Sequence, residues 1–299
     1  MSTELAPPPR SRLSSAAMVT PVGEAVTAYV ATRRWASGTT KHSTYTLDQF
    51  ADVVGVDTPI GAVDHDACAR WWATRQHLAA SSARSRRSTV ANFLRWCRHT
   101  GLLDGDPLAG IPIPREPRRM PAVLSDDDVA ALLRVLPDDR ADAIVRLMYR
   151  LGLRCIDCAN LQIGDVDLKG LTITITGKGG HVDLLPLPVE CATAIRRYLG
   201  RHRAPAGPLF RTYSTPSRAM SAQHISECVG GWLREAGIKQ ARHDGIGAHA
   251  LRRTCATDLL KRATIRQTQA VLRHQSLQST ARYLRWSDAE ELRSVVDPA

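Results

Sequence analysis

The chain has 299 residues, enough for two domains of ordinary size, and 43% of them are hydrophobic, as is usual in globular proteins. Lys and Arg outnumber Asp and Glu by 40 to 29, which gives a net charge of +11 and favours a polyanionic partner such as nucleic acid. The sequence contains no apolar run near the ~18 residues of a membrane span, so no membrane association is predicted.

Residues 1–19 are rich in Pro, Arg and Ser and lack the apolar core of a secretory signal. We predict a disordered leader there. Seven cysteines, an odd number scattered along the chain, predict reduced thiols and a cytoplasmic protein. Cys155 and Cys158 have CxxC spacing, but no second CxxC or close His pair accompanies them. We therefore expect no metal and no redox role for this pair.

Residues 20–106 are predicted to form a helical domain, because four stretches place apolar residues at helical spacing. In the last stretch, residues 82–101, a stripe suited to burial consists of Val90, Phe93, Leu94 and Cys97. The other faces carry Arg84, Arg86, Arg87 and Arg95. Such a helix can be a solvated basic surface, or it can bind DNA phosphates. We predict DNA binding for these four arginines.

Five prolines between residues 107 and 121 interrupt the helical pattern and predict an extended linker. The second domain, residues 122–299, is then expected to open with a helix. Ser125 is the predicted N-cap, and three acidic residues occupy the first turn.

The second domain is predicted to be mainly helical, with one β-hairpin at residues 171–188. Further helices are predicted near 139–151, 155–162, 188–201, 221–236, 248–262, 265–273, 277–285 and 287–295. Alternating Thr and Ile give the first strand of the hairpin a period of two, and GKGG forms its turn. This turn is not a nucleotide-binding P-loop, because Gly179 rather than Ser or Thr follows Lys178. The predicted fold class is mainly α with a small antiparallel β-sheet.

Six residues of the second domain form an ordered pattern, although each is common by itself. They are Arg154 after Gly-Leu, Lys178 in the hairpin turn, His249 and Arg252 in an HxxR motif, His274, and Tyr283 nine residues later. In this order they resemble the signature of the tyrosine recombinase (phage integrase-like) family. The family pattern LGHxxxxTTxxY is similar to LRHQSLQSTARY at residues 272–283. The resemblance extends to the N-terminal domain and so spans nearly the whole chain.

The resemblance implies a fold and an activity. The fold is an N-terminal helical core-binding (SAM-like) domain followed by a C-terminal catalytic domain. The activity is site-specific cleavage and rejoining of DNA strands through a covalent 3′-phosphotyrosine, without metal or another cofactor. The bond energy of the phosphodiester is kept in the link to the tyrosine, so no high-energy cofactor is required.

The same resemblance implies a role for each residue. Tyr283 is the expected nucleophile, and the two arginines stabilise the extra negative charge of the transition state. Lys178 protonates the leaving 5′-oxygen, and His249 is general acid or base toward the phenol, whose ordinary pKa near 10 is too high for spontaneous ionisation. His274 hydrogen-bonds the phosphate. Asp157, one turn after Arg154, matches an acidic residue of the family. It is expected to orient a guanidinium without contacting the phosphate itself.

Three positions depart from the family pattern. Arg253 stands where the family often has His, and Cys255 stands where it often has Phe. Arg273 stands where the family's LGH motif has Gly. The sequence does not decide whether the Arg273 side chain contacts DNA or faces solvent. None of the three removes a catalytic group, so we expect an active enzyme.

The expected partner is double-stranded DNA with specific recombination sites, held between the two domains. The resemblance implies that four protomers assemble at synapsis, when two DNA sites are brought together. Before synapsis, a monomer or a dimer is expected on each site. The compact length is similar to Xer-like recombinases, which predicts a bacterial or phage-encoded protein associated with the nucleoid. The alternatives are a type IB topoisomerase-like enzyme that only relaxes DNA, and a DNA-binding relative without catalysis.

Overall fold

The structure, a computed structural model, describes residues 15–35, 37–113, 122–177, 180–202, 206–215, 217–241, 245–274 and 276. Lys178, Tyr283 and the two helices predicted after residue 276 lie outside these ranges. The chain divides into two compact units, residues 1–118 and 119–299. Within the described ranges, no helix is both long and apolar enough to span a membrane.

The first unit is helical, as predicted. Its helices are α1 (Val22–Ala31), α2 (Ser37–Val54), α3 (His65–Ala73) and α4 (Ala80–His99), with short 3₁₀ helices at Ser15–Met18 and Ile60–Ala62. The apolar stripe predicted on α4 is confirmed, because all four of its residues are at most 1% exposed. The amphipathic period of the sequence therefore places α4 correctly against the core.

Aromatic side chains connect the helices of the first unit. The ring of Tyr29 on α1 lies 5.5 Å from the rings of Phe93 and Trp96 on α4. Phe50 on α2 lies 5.6 Å from Trp71 on α3, with the rings nearly perpendicular. Such edge-to-face pairs add to the large apolar area that each ring buries.

The core of the first unit continues into the stretch predicted as an extended linker. Leu108 and Ile111 are 2% and 7% exposed and belong to the same apolar cluster as α1–α4. Residues 114–121 of that stretch lie outside the described residues. The first part of the predicted linker is therefore packed on the unit before it.

Among its described residues, the second unit contains seven α-helices, a short 3₁₀ helix (Ile163–Asp165) and a three-stranded antiparallel sheet. The helices are α5 (Asp126–Arg134), α6 (Asp139–Arg150), α7 (Cys155–Asn160), α8 (Val189–His202), α9 (Ala222–Glu235), α10 (Ala248–Leu260) and α11 (Ile265–Leu272). The strands are β1 (Val166–Asp167), β2 (Thr172–Thr176) and β3 (Val182–Pro186), in the order β1-β2-β3. The predicted fold class, mainly α with a small antiparallel sheet, is confirmed.

Local signals account for most of these elements. Ser125 caps α5 as predicted, since its hydroxyl accepts from the N–H of Asp128 and the Asp128 carboxylate accepts from the N–H of Ser125. In β2, Ile173 and Ile175 are buried while the threonines alternate toward the surface. The hairpin predicted at residues 171–188 is thereby confirmed, with Thr174 paired to Leu184 at its centre.

Two features differ from the prediction. Helix α7 ends at Asn160 rather than at residue 162, because the next residues pair with a distant loop: the N–H of Leu209 donates to Leu161 O, and that of Ile163 to Gly207 O. Strand β1 was not predicted, because two residues are too few to show a period.

Gly152, just before α7, is a position where the fold depends on glycine. Its φ is +59°, and a Cβ there would lie 2.5 Å from Cδ2 of Leu272 at the end of α11. This close approach brings the start of α7 next to the end of α11.

Gly152→Ala is expected to lower the free energy of unfolding by about 2–4 kcal/mol, because it adds a steric clash to the backbone strain of a positive φ. Gly237→Ala is the matched control, since Gly237 has a φ of +74° but nothing within 4 Å of an added Cβ; it should cost only ~1 kcal/mol. Urea unfolding of both full-length variants, followed by circular dichroism, measures the difference. Equal losses would show that the contact with Leu272 contributes nothing.

Candidate active site

Arg154 lies at the N-terminus of α7, where local structure presents its side chain to solvent. It is the N-cap residue, with extended backbone, and its N–H donates to the carboxylate of Asp157 at 2.8 Å. Its guanidinium is 42% exposed and lies 3.9 Å from the same carboxylate. Asp157 therefore anchors the backbone of Arg154 and leaves its side chain only loosely paired.

Arg252 and His249 lie one turn apart on α10, as the HxxR spacing predicts. The side chain of Arg252 is 1% exposed, which is unusual for an arginine. Its guanidinium donates to the carbonyl of Gly152, before α7, and to that of Leu272, the last residue of α11, the latter at 2.5 Å. One arginine therefore joins the segments that carry Arg154 and His274.

His274 lies two residues after Leu272, the last residue of α11. Its N–H donates to Gln269 O at 3.1 Å, and the side-chain amide of Gln269 donates back to His274 O at 2.9 Å. Between them Arg273 adopts left-handed backbone angles, φ 52° and ψ 48°. This turn directs the chain away from the helix axis and fixes the position of His274.

These residues line two cavities that share Arg154, and we refer to the two cavities together as the cleft. The first cavity is also lined by Cys155, His249 and Arg252. The second is also lined by Asp157, Arg273 and His274, and by Gly177 and His181 of the hairpin. The structure thus brings together four of the six predicted catalytic residues. Lys178 and Tyr283 lie outside the described residues.

The electrostatics of the cleft keep its histidines neutral. Burial, followed by the nearby charges of Arg252 and Arg154, lowers the pKa of His274 to about 4. Burial also lowers the pKa of His249, assisted by the charges of Arg253, Arg252 and Arg154. At neutral pH the fixed positive charge of the cleft therefore comes from arginine, and each histidine has a ring nitrogen able to accept a hydrogen bond or a proton.

Comparison with protein families agrees with this geometry. Residues 122–290 match the model of the phage integrase family, and this match covers more than half of the chain. The chain belongs to the phage integrase family. The predicted family is therefore confirmed.

Relatives of this phage integrase family member are tyrosine recombinases. It is 33% identical over 230 residues to tyrosine recombinase XerD of Xanthomonas axonopodis pv. citri, covering 71% of this chain and 74% of the relative. It is 29% identical over 230 residues to tyrosine recombinase XerC of Chromobacterium violaceum, covering 75% of each chain. The chain is thus a tyrosine recombinase of the Xer-like type.

Solved structures show the same fold. The Tn1549 transposon integrase, in complex with transposon right end DNA, matches with a TM-score of 0.74 at 16% identity, covering 93% of this chain and 99% of that one. A lambda integrase dimer bound to a core site matches with a TM-score of 0.72, also at 16% identity, covering 90% of this chain and 79% of that one.

Sequence reasoning missed several side chains around the cleft of this recombinase. Arg266 and Gln269 on α11 and His181 after the hairpin turn all line the second cavity. Arg266 and Gln269 are three residues apart, so the helical period of α11 already places them on one face. Of the two possibilities left open for Arg273, exposure to solvent is wrong, because its side chain is only 6% exposed and pairs with Asp157 at 2.7 Å. Contact with DNA stays a prediction.

The other two departures from the family pattern also have a place in the structure. Arg253 is partly buried and donates to Gly245 O at 3.4 Å, in the loop before α10. Cys255 is buried, and its sulfur would lie 3.5 Å from a Cβ at position 152. Neither lines the two cavities on which the four predicted catalytic side chains converge.

The arginines predicted to bind DNA on α4 have different environments. Arg84 and Arg95 are exposed, and Arg95 donates to Asn92 at 3.0 Å. Arg86 donates to Gln49 on α2 at 2.5 Å. Arg87 is partly buried and donates to the carbonyls of residues 108 and 111, so its side chain has a structural role within the first unit.

The two cysteines of the CxxC sequence have the environment of structural thiols. Cys158 is buried, and burial raises its pKa well above the ordinary value; burial also raises the pKa of Cys155. Among the described residues, no group of three or more His, Cys, Asp and Glu side chains could hold a metal ion. The expectation of no metal role stays a prediction.

The neutral state of His274 predicts an acid-sensitive fold. In the unfolded chain His274 has its ordinary pKa of 6.5, whereas in the folded chain its pKa is about 4. Between these two pH values the unfolded chain therefore binds more protons at His274 than the folded chain does. The stability contributed by neutral His274 is therefore present above pH ~6.5 and lost toward pH ~4. Urea unfolding at pH 7 and pH 4.5 should show a smaller acid-induced loss for His274→Gln than for the wild type. An equal loss in both proteins would contradict the lowered pKa.

Proposed function

We propose that this chain is a site-specific recombinase that cuts and rejoins DNA strands through a 3′-phosphotyrosine at Tyr283. The observation that carries the proposal is the convergence of Arg154, His249, Arg252 and His274 on one cleft. This set provides the positive charge and the proton acceptors that phosphoryl transfer to a side chain requires.

In the proposed cleavage step, the Tyr283 hydroxyl attacks phosphorus and the bond to the 5′-oxygen breaks. Neutral His249 accepts the phenol proton, which its lowered pKa permits at neutral pH. Lys178 donates a proton to the leaving 5′-oxygen. In rejoining, a 5′-hydroxyl of another strand attacks the same phosphorus and the phenol leaves. The number of phosphoester bonds is unchanged, so no metal or nucleotide is required by the energy balance.

The two arginines are proposed to bind the non-bridging oxygens of the scissile phosphate. Arg154 is half-exposed at the cleft, and Arg252 is held at its floor by two carbonyls. Guanidinium donors that are fixed in advance stabilise the transition state without reorganisation. Removal of one such donor typically lowers the rate constant of the chemical step by a factor of about 10²–10³. His274 is proposed to donate one further hydrogen bond to the phosphate.

The substrate is proposed to be duplex DNA with a specific site, to which both domains bind. The first domain is residues 20–106, a helical core-binding domain, and the second is residues 122–299, with 107–121 between them. Exposed Arg84 and Arg95 on α4 are proposed to contact phosphates, with Arg86 beside them; Arg87 contributes by stabilising the first unit. Such contacts make affinity fall steeply with salt.

The assembly is proposed to follow from the reaction. Exchange between two duplexes requires two cleavage points in each duplex, and hence four protomers at synapsis, with a monomer or dimer on each site beforehand. The relatives XerC and XerD, both called tyrosine recombinases, support strand exchange rather than relaxation alone and do not favour the topoisomerase-like or silent alternatives. We propose that the protein acts in the cytoplasm, on nucleoid DNA.

A nicked suicide DNA substrate tests the catalytic proposal. Such a substrate loses the leaving 5′-strand after cleavage, so the covalent adduct accumulates and is seen as a band shifted in denaturing gels. The DNA sequence of the recombination site is located beforehand, by footprinting the protein on genomic DNA that flanks its own gene. We expect an adduct with the wild type and none with Tyr283→Phe, because the variant lacks the nucleophile. Tyr213→Phe is the control, since Tyr213 is exposed and lies outside the cleft.

Absence of an adduct in the wild type, or its persistence in Tyr283→Phe, would contradict the assignment. Product analysis with two intact sites then separates the function classes: exchanged flanks are expected for a recombinase, and relaxed circles without exchange for a topoisomerase.

A further inference from the structure

Arg266 is a cation of the cleft to which the proposed function gives no role. It lies in the first turn of α11, and its exposed side chain lines the second cavity together with Arg154 and His274. Gln269 and Ala270, three and four residues further along, line the same cavity, so this face of α11 is turned toward the cleft. Arg266 therefore extends the positive charge of the cleft beyond the groups assigned to the scissile phosphate.

Arg266 differs from Arg273, which lines the same cavity, in how its charge is paired. The guanidinium of Arg273 is bound to Asp157 at 2.7 Å. Among the described residues, no carboxylate forms an ion pair with Arg266 and no acceptor hydrogen-bonds its side chain, although Asp183 also lines this cavity. The charge of Arg266 is therefore available to an anion from outside the protein.

The position of Arg266 within α11 is unfavourable for a cation. The N-terminal end of a helix carries a partial positive charge, which repels a cation in the first turn. The same end is already capped by Thr264 and Gln267, which form the reciprocal hydrogen bonds of a capping box. Arg266 thus stabilises neither its own helix nor a buried carboxylate, and binding of a ligand accounts for an arginine at this position.

The place of Arg266 in the cleft indicates which anion it meets. In the proposed function, the non-bridging oxygens of the scissile phosphate are bound by Arg154, Arg252 and His274. Arg266 lies at the opposite end of α11 from His274, and eight residues of helix span about 12 Å. Phosphates of one DNA strand follow each other every ~3.4 Å along the helix axis. A cation at that distance from His274 therefore faces a neighbouring phosphate rather than the scissile one.

We propose that Arg266 binds the phosphate next to the scissile one on the cleaved strand and so helps to hold that strand in the cleft. This inference rests on the proposed function, since it extends the DNA-binding surface of the same site. Contacts with the DNA backbone carry no sequence information, but they fix the position of the duplex on the protein. Arg266 is thus a DNA-binding residue and not a catalytic one.

Methylphosphonate substitution tests this contact, because it replaces a charged phosphate oxygen with a neutral methyl group at one chosen position. Site DNA carries the substitution at the phosphate immediately 5′ or immediately 3′ of the scissile one, and the full chain is titrated onto each duplex. We expect the wild type to lose affinity about 3–10-fold at one of the two positions, as for one charged hydrogen-bonded contact near the surface. Arg266→Met should show the same loss on unmodified DNA and no further loss at that position.

The salt dependence of binding gives a second readout. Each phosphate contact contributes about 0.9 to the slope of log affinity against log salt concentration. The slope should therefore be smaller by about 1 in Arg266→Met. Arg266→Lys keeps the charge and should retain the slope of the wild type.

Arg262→Met is the matched control for the loss of a positive charge. Arg262 is also exposed and lies just after α10, but it lines neither cavity, so its variant should keep the affinity and the salt slope of the wild type. Because Arg266 is exposed and unfavourable for its helix, Arg266→Met should not lower the free energy of unfolding in urea. A loss of affinity in that variant then reflects the missing contact.

The covalent adduct of the wild type locates the scissile phosphate and is the first requirement. Its absence would refute the proposed function, and this inference with it. Where the adduct forms, the binding data decide the inference separately. It would be overturned by a wild type that is insensitive at both neighbouring phosphates, or by an Arg266→Met variant that keeps the sensitivity or the salt slope of the wild type. An equal loss in Arg262→Met would overturn it too.

Discussion

The buried guanidinium of Arg252 is the interaction on which the geometry of the cleft depends. It binds the carbonyl of Gly152 on one side and that of Leu272 on the other. Removing it would leave two carbonyls without a charged donor in a region closed to solvent, which is costly. Arg154 follows Gly152 by two residues and His274 follows Leu272 by two, so this side chain holds together the two segments that carry those groups.

The same arrangement explains the electrostatics. Four arginines, at positions 154, 252, 266 and 273, line the cleft, with two carboxylates, Asp157 and Asp183. The excess of positive charge disfavours protonation of both histidines, in addition to the effect of burial. The cleft is thus prepared for a phosphate, whose negative charge is absent from the free protein. Preorganised charge of this kind is the main means by which a site without a metal can stabilise a phosphoryl transition state.

Much of the fold could be predicted from the sequence because its signals are local. The stripe on α4, the capping box at Ser125 and the alternating TITIT strand each lie within a few residues of one another. The HxxR spacing likewise placed His249 and Arg252 on one helical face. The ends of elements were less predictable: α7 stops at Asn160 because residues 161–163 pair with residues 207–209.

The contacts that shape the cleft could not be predicted, because they join distant segments. Arg252 binds a backbone carbonyl 100 residues away, and a carbonyl acceptor has no residue type that a sequence pattern could reveal. Arg273 and Asp157 are 116 residues apart in the sequence. The two possibilities that the sequence left open for Arg273, exposure to solvent and contact with DNA, did not include this ion pair. Arg87 was assigned to DNA from its charge, and its hydrogen bonds to two carbonyls of its own unit could not be read from the sequence. Its contact with DNA stays a prediction.

Mass spectrometry of the trapped protein–DNA adduct tests the central claim most directly. After digestion with protease and nuclease, the residue that carries the nucleotide is read from the fragment masses. We expect a nucleotide joined through its 3′-phosphate to the phenol oxygen of Tyr283 and to no other side chain. A nucleotide on a different residue, or one joined through its 5′-phosphate, would contradict the proposed chemistry of the cleft.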